Sequence, residues 1–222
     1  MDIKKTIIKN ISSLLGAQII TTLLKTILLI YIARTLGNEI FGKYSFIISL
    51  TAIFLMISDF GIKGVAIRDI ARNTSHVSKY LKNIIILKLL FSLLSIFIFI
   101  LVVTLLDMPQ DTTQASYIFA GGLFFQSMSH AFRWTFHALQ TMELEALQRV
   151  VEQVLILILS VWFLWQGFGL IALSLVFLFT QISIFCLSAF FVIRKTKIHP
   201  IKVDLPFCKY IIKTAMFFAL SE

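Results

Sequence analysis

Charged residues are scarce in this chain, at 14% of 222 positions, where a soluble domain carries about 25%. So little polar surface cannot cover a folded chain in water, which excludes an ordinary soluble domain. Helix breakers are also few: three prolines and nine glycines, against 22 phenylalanines. Two cysteines make no disulfide framework; Cys186 lies in an apolar run and Cys208 in a basic loop, so both are expected as free thiols. Catalytic motifs are missing too. There is no Gly-x-Ser-x-Gly, no His-Glu-x-x-His, no glycine-rich phosphate loop and no Cys/His metal spacing. His130 and His137 stand too far apart for the usual i,i+4 zinc pair. No catalytic residue, metal or cofactor is expected.

Apolar residues are abundant, at 59%, with a mean hydropathy of +0.94. Lipid is the solvent that suits such a chain, and a closed helix is the way to satisfy its backbone there. The expected class is an all-α integral membrane protein. A spanning helix needs about 20 apolar residues. Six stretches meet this, at 11–36, 41–62, 84–106, 116–139, 150–166 and 170–193. A seventh opens near Tyr210 and is unfinished at Glu222, which is expected of a truncated sequence. The expected organisation is a six-helix transmembrane bundle over 1–209, with the start of a seventh helix at 210–222.

The formal charge of +9 does not point to nucleic acid, because the basic residues sit in short clusters between apolar runs. Lys4, Lys5 and Lys9, the stretch from Lys63 to Lys88, Arg149, and the stretch from Arg194 to Lys213 fall on one side. Arg34 and Lys43, with Asp107 and Asp111, fall on the other. This asymmetry puts the N-terminus in the cytoplasm. The outer loops are short: Gly37 to Glu39, Asp107 to Ala115, and Gly167 to Gly169. Inside, Ile62 to Asn83 sets Ile67, Ile70, Ala71 and Val77 among basic residues; it suits either a helix lying at the interface or a solvated loop. His199 to Lys213, with Pro200 and Pro206, is expected to form an elbow before the seventh span.

Ionisable residues within the spans cost about 2.5–3.5 kcal/mol each at mid-membrane, so each calls for a role. Lys25 lies roughly 21 Å along the first span, and Gln18, Thr21 and Thr22 share its face. That stripe fits the lining of a wet cavity; the alternative is a lysine that snorkels to the surface. On the fourth span Gln126, His130, Arg133 and His137 make a second stripe, within about 60° on the helical wheel. Hydrogen bonding within the bundle is an alternative role for each histidine. Asp59 lies at a depth similar to Arg133 and is a candidate to pair with it, as a structural salt bridge or in a substrate role. Glu152, Lys88, Arg34 and Arg149 are expected to be interfacial anchors or loop charges, which leaves Asp59 as the one deep carboxylate.

Tyr31-Ile-Ala-Arg34-Thr-Leu-Gly37, then Glu39-Ile-Phe-Gly42-Lys-Tyr44, then Asp59-Phe-Gly61 and Arg68-Asp-Ile-Ala-Arg72 resemble the polysaccharide-biosynthesis flippases. These are the Wzx-type O-antigen and exopolysaccharide translocases, of the superfamily that includes the multidrug and toxin extruders. Beyond Ile84 the resemblance rests on hydropathy and topology.

The resemblance implies one lobe of a two-lobed, MATE-like transporter in the bacterial inner membrane. It implies an undecaprenyl-diphosphate-linked oligosaccharide as substrate, with membrane lipids and other polysaccharide-assembly proteins as partners. Lys25 would then be the cavity cation, Arg133 a phosphate or structural partner, and Gln18, Thr21, Thr22 and Gln126 ligands for sugar hydroxyls. Asp59, His130 and His137 would form a gate or ion pair. Two competing functions are a cation-coupled multidrug or metabolite exporter, and a membrane polysaccharide polymerase or acyltransferase using a histidine. The cationic cavity speaks against the first and the short outer loops against the second.

Overall fold

The computed structural model describes residues 3–72, 77–195 and 204–219, and it is helical nearly throughout. Seven helices follow one another among these residues: α1 (Ile3–Asp59), α2 (Ile62–Arg72), α3 (Val77–Leu105), α4 (Gln110–Ala138), α5 (Met142–Trp165), α6 (Leu170–Lys195) and α7 (Leu205–Ala219). Four of them, α1, α3, α5 and α6, are long and apolar enough to cross a membrane.

α1 is two helices joined at a sharp break. Gly37 has φ 75° and ψ 176°, a conformation open to a residue without Cβ and closed to most others. The two arms run in opposite directions, as their partners show. Asn10 donates to the Gln140 carbonyl just past the end of α4, whereas Lys43 meets Asp111 in the first turn of α4. Asp59 has returned to the level of His130, two turns from the end of α4. Arms 3–36 and 38–59 therefore correspond to the two expected spans at 11–36 and 41–62. A second left-handed pair, Phe60 and Gly61, ends α1 and turns the chain into α2. The Phe60 ring stacks on Phe91 of α3, with centroids 4.9 Å apart.

α4 is the axis of the bundle, with more than half of its residues buried. It packs against α6 and α3 most extensively and touches α1, α2 and α5 as well. Close approach to α6 depends on Gly121 and Gly122. A Cβ on Gly122 would run into the Phe177 ring of α6. That ring cannot swing away freely, because it stacks on Phe119 at 4.4 Å. Small residues at helix contacts are the means by which bilayer-embedded helices pack closely.

Apolar clusters fill both ends. Leu28, Ile32, Tyr44, Ile47, Phe119, Leu164 and Leu173 close the end away from the basic loops. Ile62, Val65, Ala66, Ile70, Trp134, Ile211 and Ala215 close the basic end. α2 is a helix that turns its apolar face onto the bundle and α7, which removes the solvated-loop alternative for this stretch. Ile67 packs against the same cluster; the side chains of Ala71 and Val77 lie outside the described residues.

Of the expected elbow, residues 199–203 also lie outside them, and from Leu205 onward it is already helix. Pro206 sits in the first turn, where its missing N–H costs nothing. Cys208 is a free thiol as expected, but buried in α7 rather than in a loop. The outer surface is apolar: Leu15, Ile19, Leu23, Ile27 and Ile30 of α1, and Leu90, Leu93, Leu94 and Phe97 of α3, are exposed. Such continuous apolar surface belongs in lipid. The chain is a multi-pass membrane protein.

Gly122→Ala is expected to lower stability by about 1–3 kcal/mol through overpacking, read as a drop in thermal midpoint in detergent micelles. Gly16→Ala, where nothing lies within 4 Å of the added carbon, is expected to be neutral or to gain up to about 1 kcal/mol. Equal behaviour of the two variants would contradict the α4–α6 contact.

Candidate functional site

The polar stripe of α4 faces inward, and carboxylates from α1 and α5 meet it along its length. His130 Nδ1 lies 3.1 Å from Asp59 Oδ2. Arg133 donates to Glu152 Oε2 at 2.5 Å, and His137 Nε2 lies 2.6 Å from Glu145 Oε2. Glu145 and Glu152 are seven residues apart on α5, so one helical face carries both.

Further polar groups complete the network. Lys88 of α3 is fully buried and donates to Asp59 Oδ1 at 2.5 Å. It also reaches the Ser58 carbonyl at 3.3 Å and lies 5.1 Å above the Trp134 ring. Gln181 of α6 donates to Glu152 Oε1 at 2.8 Å, and Ser188 donates to Gln148 at 2.9 Å. Arg149 donates to Glu145 at 2.6 Å and to Gln18 at 3.4 Å.

This geometry corrects three expectations. Asp59 and Arg133 do not pair: Asp59 takes Lys88 and His130, and Arg133 takes Glu152. Lys88 and Glu152 are not interfacial anchors but buried members of the network. Asp59 is not the one deep carboxylate, since Glu145 is buried and Glu152 is largely so, at 14% side-chain exposure. The sequence carried a signal for Glu152: at i+7 from Glu145, and between Gln148 and Gln153, it sits on a polar stretch of an otherwise apolar span.

Two cavities flank the Arg133–Glu152 pair. One, of about 220 Å³, is lined by Lys25, Tyr44, Thr51, Gln126, Glu152, Gln153, Gln181 and apolar side chains. The other, of about 370 Å³ toward the basic end, is lined by Gln18, Asp59, Lys63, His130, Arg133, Trp134, His137, Glu145 and Arg149. Glu152 belongs to the first and Arg133 to the second, so the ion pair stands between them. Of the residues singled out in the sequence, Lys25 and Gln126 share the first cavity. Gln18, Asp59, His130, Arg133 and His137 share the second. Thr21 and Thr22 line neither; Thr21 donates to the Ala17 carbonyl at 2.8 Å, one turn back along α1.

The cations differ in how far they are committed. Lys88, Arg133 and Arg149 each have a carboxylate. Lys25, exposed on the cavity side of α1, has no hydrogen-bond or ion-pair partner among the described residues. At the far end, Lys43 bridges Glu39 and Asp111 at 2.9 Å each, and the Lys43 hydrogen bond holds the Asp111 carboxyl below its ordinary range.

A polar seam thus runs inside an apolar helical bundle, with a cavity on each side of the Arg133–Glu152 pair. Residues 7–222 match the family described as polysaccharide biosynthesis protein, and the chain belongs to that family.

Solved structures show the same fold. A MATE transporter in complex with MaD5 superposes with a TM-score of 0.74 at 14% identity, over 100% of this chain and 54% of that one. The outward-facing conformation of a multidrug-resistance MATE transporter of the MOP superfamily gives 0.72 at 16%, over 98% and 52%. A MOP-superfamily transporter from Pyrococcus furiosus, described by a binding pocket of reversed polarity, gives 0.71 at 15%, over 96% and 52%. The chain spans about half the length of these transporters. No functionally curated protein matches it in sequence.

Removing Asp59 strands the fully buried Lys88 without a carboxylate, and removing Lys88 leaves Asp59 with His130 alone. Asp59→Asn and Lys88→Met are each expected to cost about 3–5 kcal/mol, and the double variant much less than their sum. Denaturant titration in detergent measures this; strictly additive losses would show that the pair is not coupled.

Proposed function

We propose that the chain is one lobe of a flippase that moves an undecaprenyl-diphosphate-linked oligosaccharide across the bacterial inner membrane. The observation that carries this is Lys25, an uncommitted cation in a cavity otherwise lined by amides, hydroxyls, one carboxylate and apolar groups. A lipid-linked diphosphate brings negative charge that cannot enter hydrocarbon unaided. A lysine with no internal counter-charge can receive it as a mobile point charge.

Membership of the polysaccharide biosynthesis family supports a glycan cargo, and the half-transporter fold supports a second, facing lobe. In this reading the lobe makes six crossings, two of them from α1, with the N-terminus and the basic loops in the cytoplasm. Rocking of the two lobes would alternate access to the cavities. Arg133 is reassigned from phosphate ligand to structural partner, because Glu152 already neutralises it. Asp59, His130 and His137 act as members of ion pairs that hold α1, α3 and α5 to α4.

A second reading has an observation of its own. Glu145, buried, with the partly buried Glu152 and Asp59, places three carboxylates around the cavities, which suits a cation-coupled exporter of drugs or metabolites.

Lys25→Ala in the intact transporter, reconstituted in vesicles, is expected to slow translocation of lipid-linked oligosaccharide at least tenfold. Lys25→Arg is expected to retain part of the rate. Transport of the lipid-linked substrate by Lys25→Ala at the wild-type rate would remove the proposal, and cation-driven efflux of a soluble cargo would favour the second reading.

A further inference from the structure

The cavity that holds Lys25 has a second chemistry, and it is an amide chemistry. Gln126 from α4, Gln153 from α5 and Gln181 from α6 converge on it around Glu152. Gln181 is fully buried and donates through Nε2 to Glu152 Oε1 at 2.8 Å. A carboxylate oxygen only accepts, so the amide nitrogen must be the atom turned toward it. The Gln181 Oε1 is therefore left as an acceptor, and it is buried with no partner. Buried polar atoms without partners are rare, because each loses its bond to water and gains nothing. Gln126 and Gln153, both half-buried, have no hydrogen-bond partner among the described residues either.

The donor and acceptor inventory limits what can fill this place. A phosphate or diphosphate brings acceptors alone and leaves Gln181 Oε1 unanswered. A hydroxyl brings a donor and an acceptor together, and each free amide offers the complementary two. Tyr44 and Phe119 in the same wall give an apolar face, as a ring with hydroxyls on its edge and C–H groups on its faces would need. The cavity, at about 220 Å³, is the volume of about seven liquid waters, enough for one such ring and not for an extended chain of them.

We infer that Gln126, Gln153 and Gln181, with Glu152, form a hydroxyl-reading subsite for a single sugar ring next to the diphosphate position at Lys25. This rests on the transporter reading above and adds to it a division of labour: Lys25 answers the charge, and the glutamines read the first sugar.

Gln153→Met and Gln126→Met test it, since methionine keeps the length of the side chain and removes both hydrogen-bonding groups. Neither glutamine holds another part of the bundle, so both variants are expected to fold. The probes are undecaprenyl diphosphate bearing one N-acetylhexosamine and undecaprenyl diphosphate with no sugar, each titrated into the intact transporter in nanodiscs. Each glutamine variant is expected to bind the sugar-bearing lipid about tenfold more weakly and the sugarless lipid as wild type does. Lys25→Met is expected to weaken both lipids. Glutamine variants that weaken neither lipid, or both equally, would overturn the subsite. A glutamine effect confined to the sugar-bearing lipid, with Lys25→Met silent, would keep the subsite and remove the diphosphate role. A wild-type protein that binds neither lipid would overturn the transporter reading and the subsite with it.

Discussion

Everything in this bundle depends on the pairing of Arg133, His130 and His137 of α4 with carboxylates from α1 and α5. A charge in the dry interior costs several kcal/mol unless a partner of opposite sign and good geometry meets it. α4 carries its polar stripe down the centre of the fold, where it could not face lipid at tolerable cost. Asp59, Glu145 and Glu152 answer it at three successive levels. Each pair also ties α4 to a different neighbour or level, so the electrostatics set the register of the helices. The apolar packing of Gly122 against Phe177 then draws α6 onto α4.

The same pairing limits what the interior cations are free to do. Arg133 lies on the edge of the larger cavity but is already bound to Glu152, and a ligand phosphate would have to compete with that carboxylate. Lys88 is sealed under Trp134 and Asp59. The one cation of the smaller cavity that has not been neutralised internally is Lys25. Lys25 is thus an exception to the pairing that holds the fold together, and α1, on which it sits, is exposed along much of its first arm.

Much of this was legible in the sequence, and the reasons are physical. Apolar runs bounded by short polar turns report helices directly, so each expected stretch falls on helix, and four of the helices are long and apolar enough to cross a membrane. Helix ends were less visible, because α3, α4 and α5 run past the apolar core by up to two turns with polar residues that hydropathy assigns to loops. The α4 stripe was legible because 3.6-residue periodicity places four polar residues on one line. Their partners were not. Lys88 and Glu152 lie near the ends of apolar runs, where position along one helix suggests an anchor. Packing of α3 and α5 against α1, α4 and α6 brings them inside, and no periodicity within a single helix records that. The Asp59–Arg133 pairing failed for the same reason: equal depth does not give equal azimuth.

The ion pair of Arg133 with Glu152 stands between two cavities of different character, and this constrains how any path through the lobe could work. On one side the lining is amide, hydroxyl and aromatic with a single free cation. On the other it is dense with paired charges. A continuous aqueous route past that pair would require it to separate, leaving Arg133 and Glu152 each uncompensated, with Arg133 Nε already lacking a partner. The cost of that separation makes a pore through the lobe unfavourable. The low-cost way to expose one cavity and then the other is to move a second surface across an intact pair, not to open the pair itself. A bundle built in this way is held by its interior ion pairs, and leaves Lys25 as the unpaired cation of the smaller cavity.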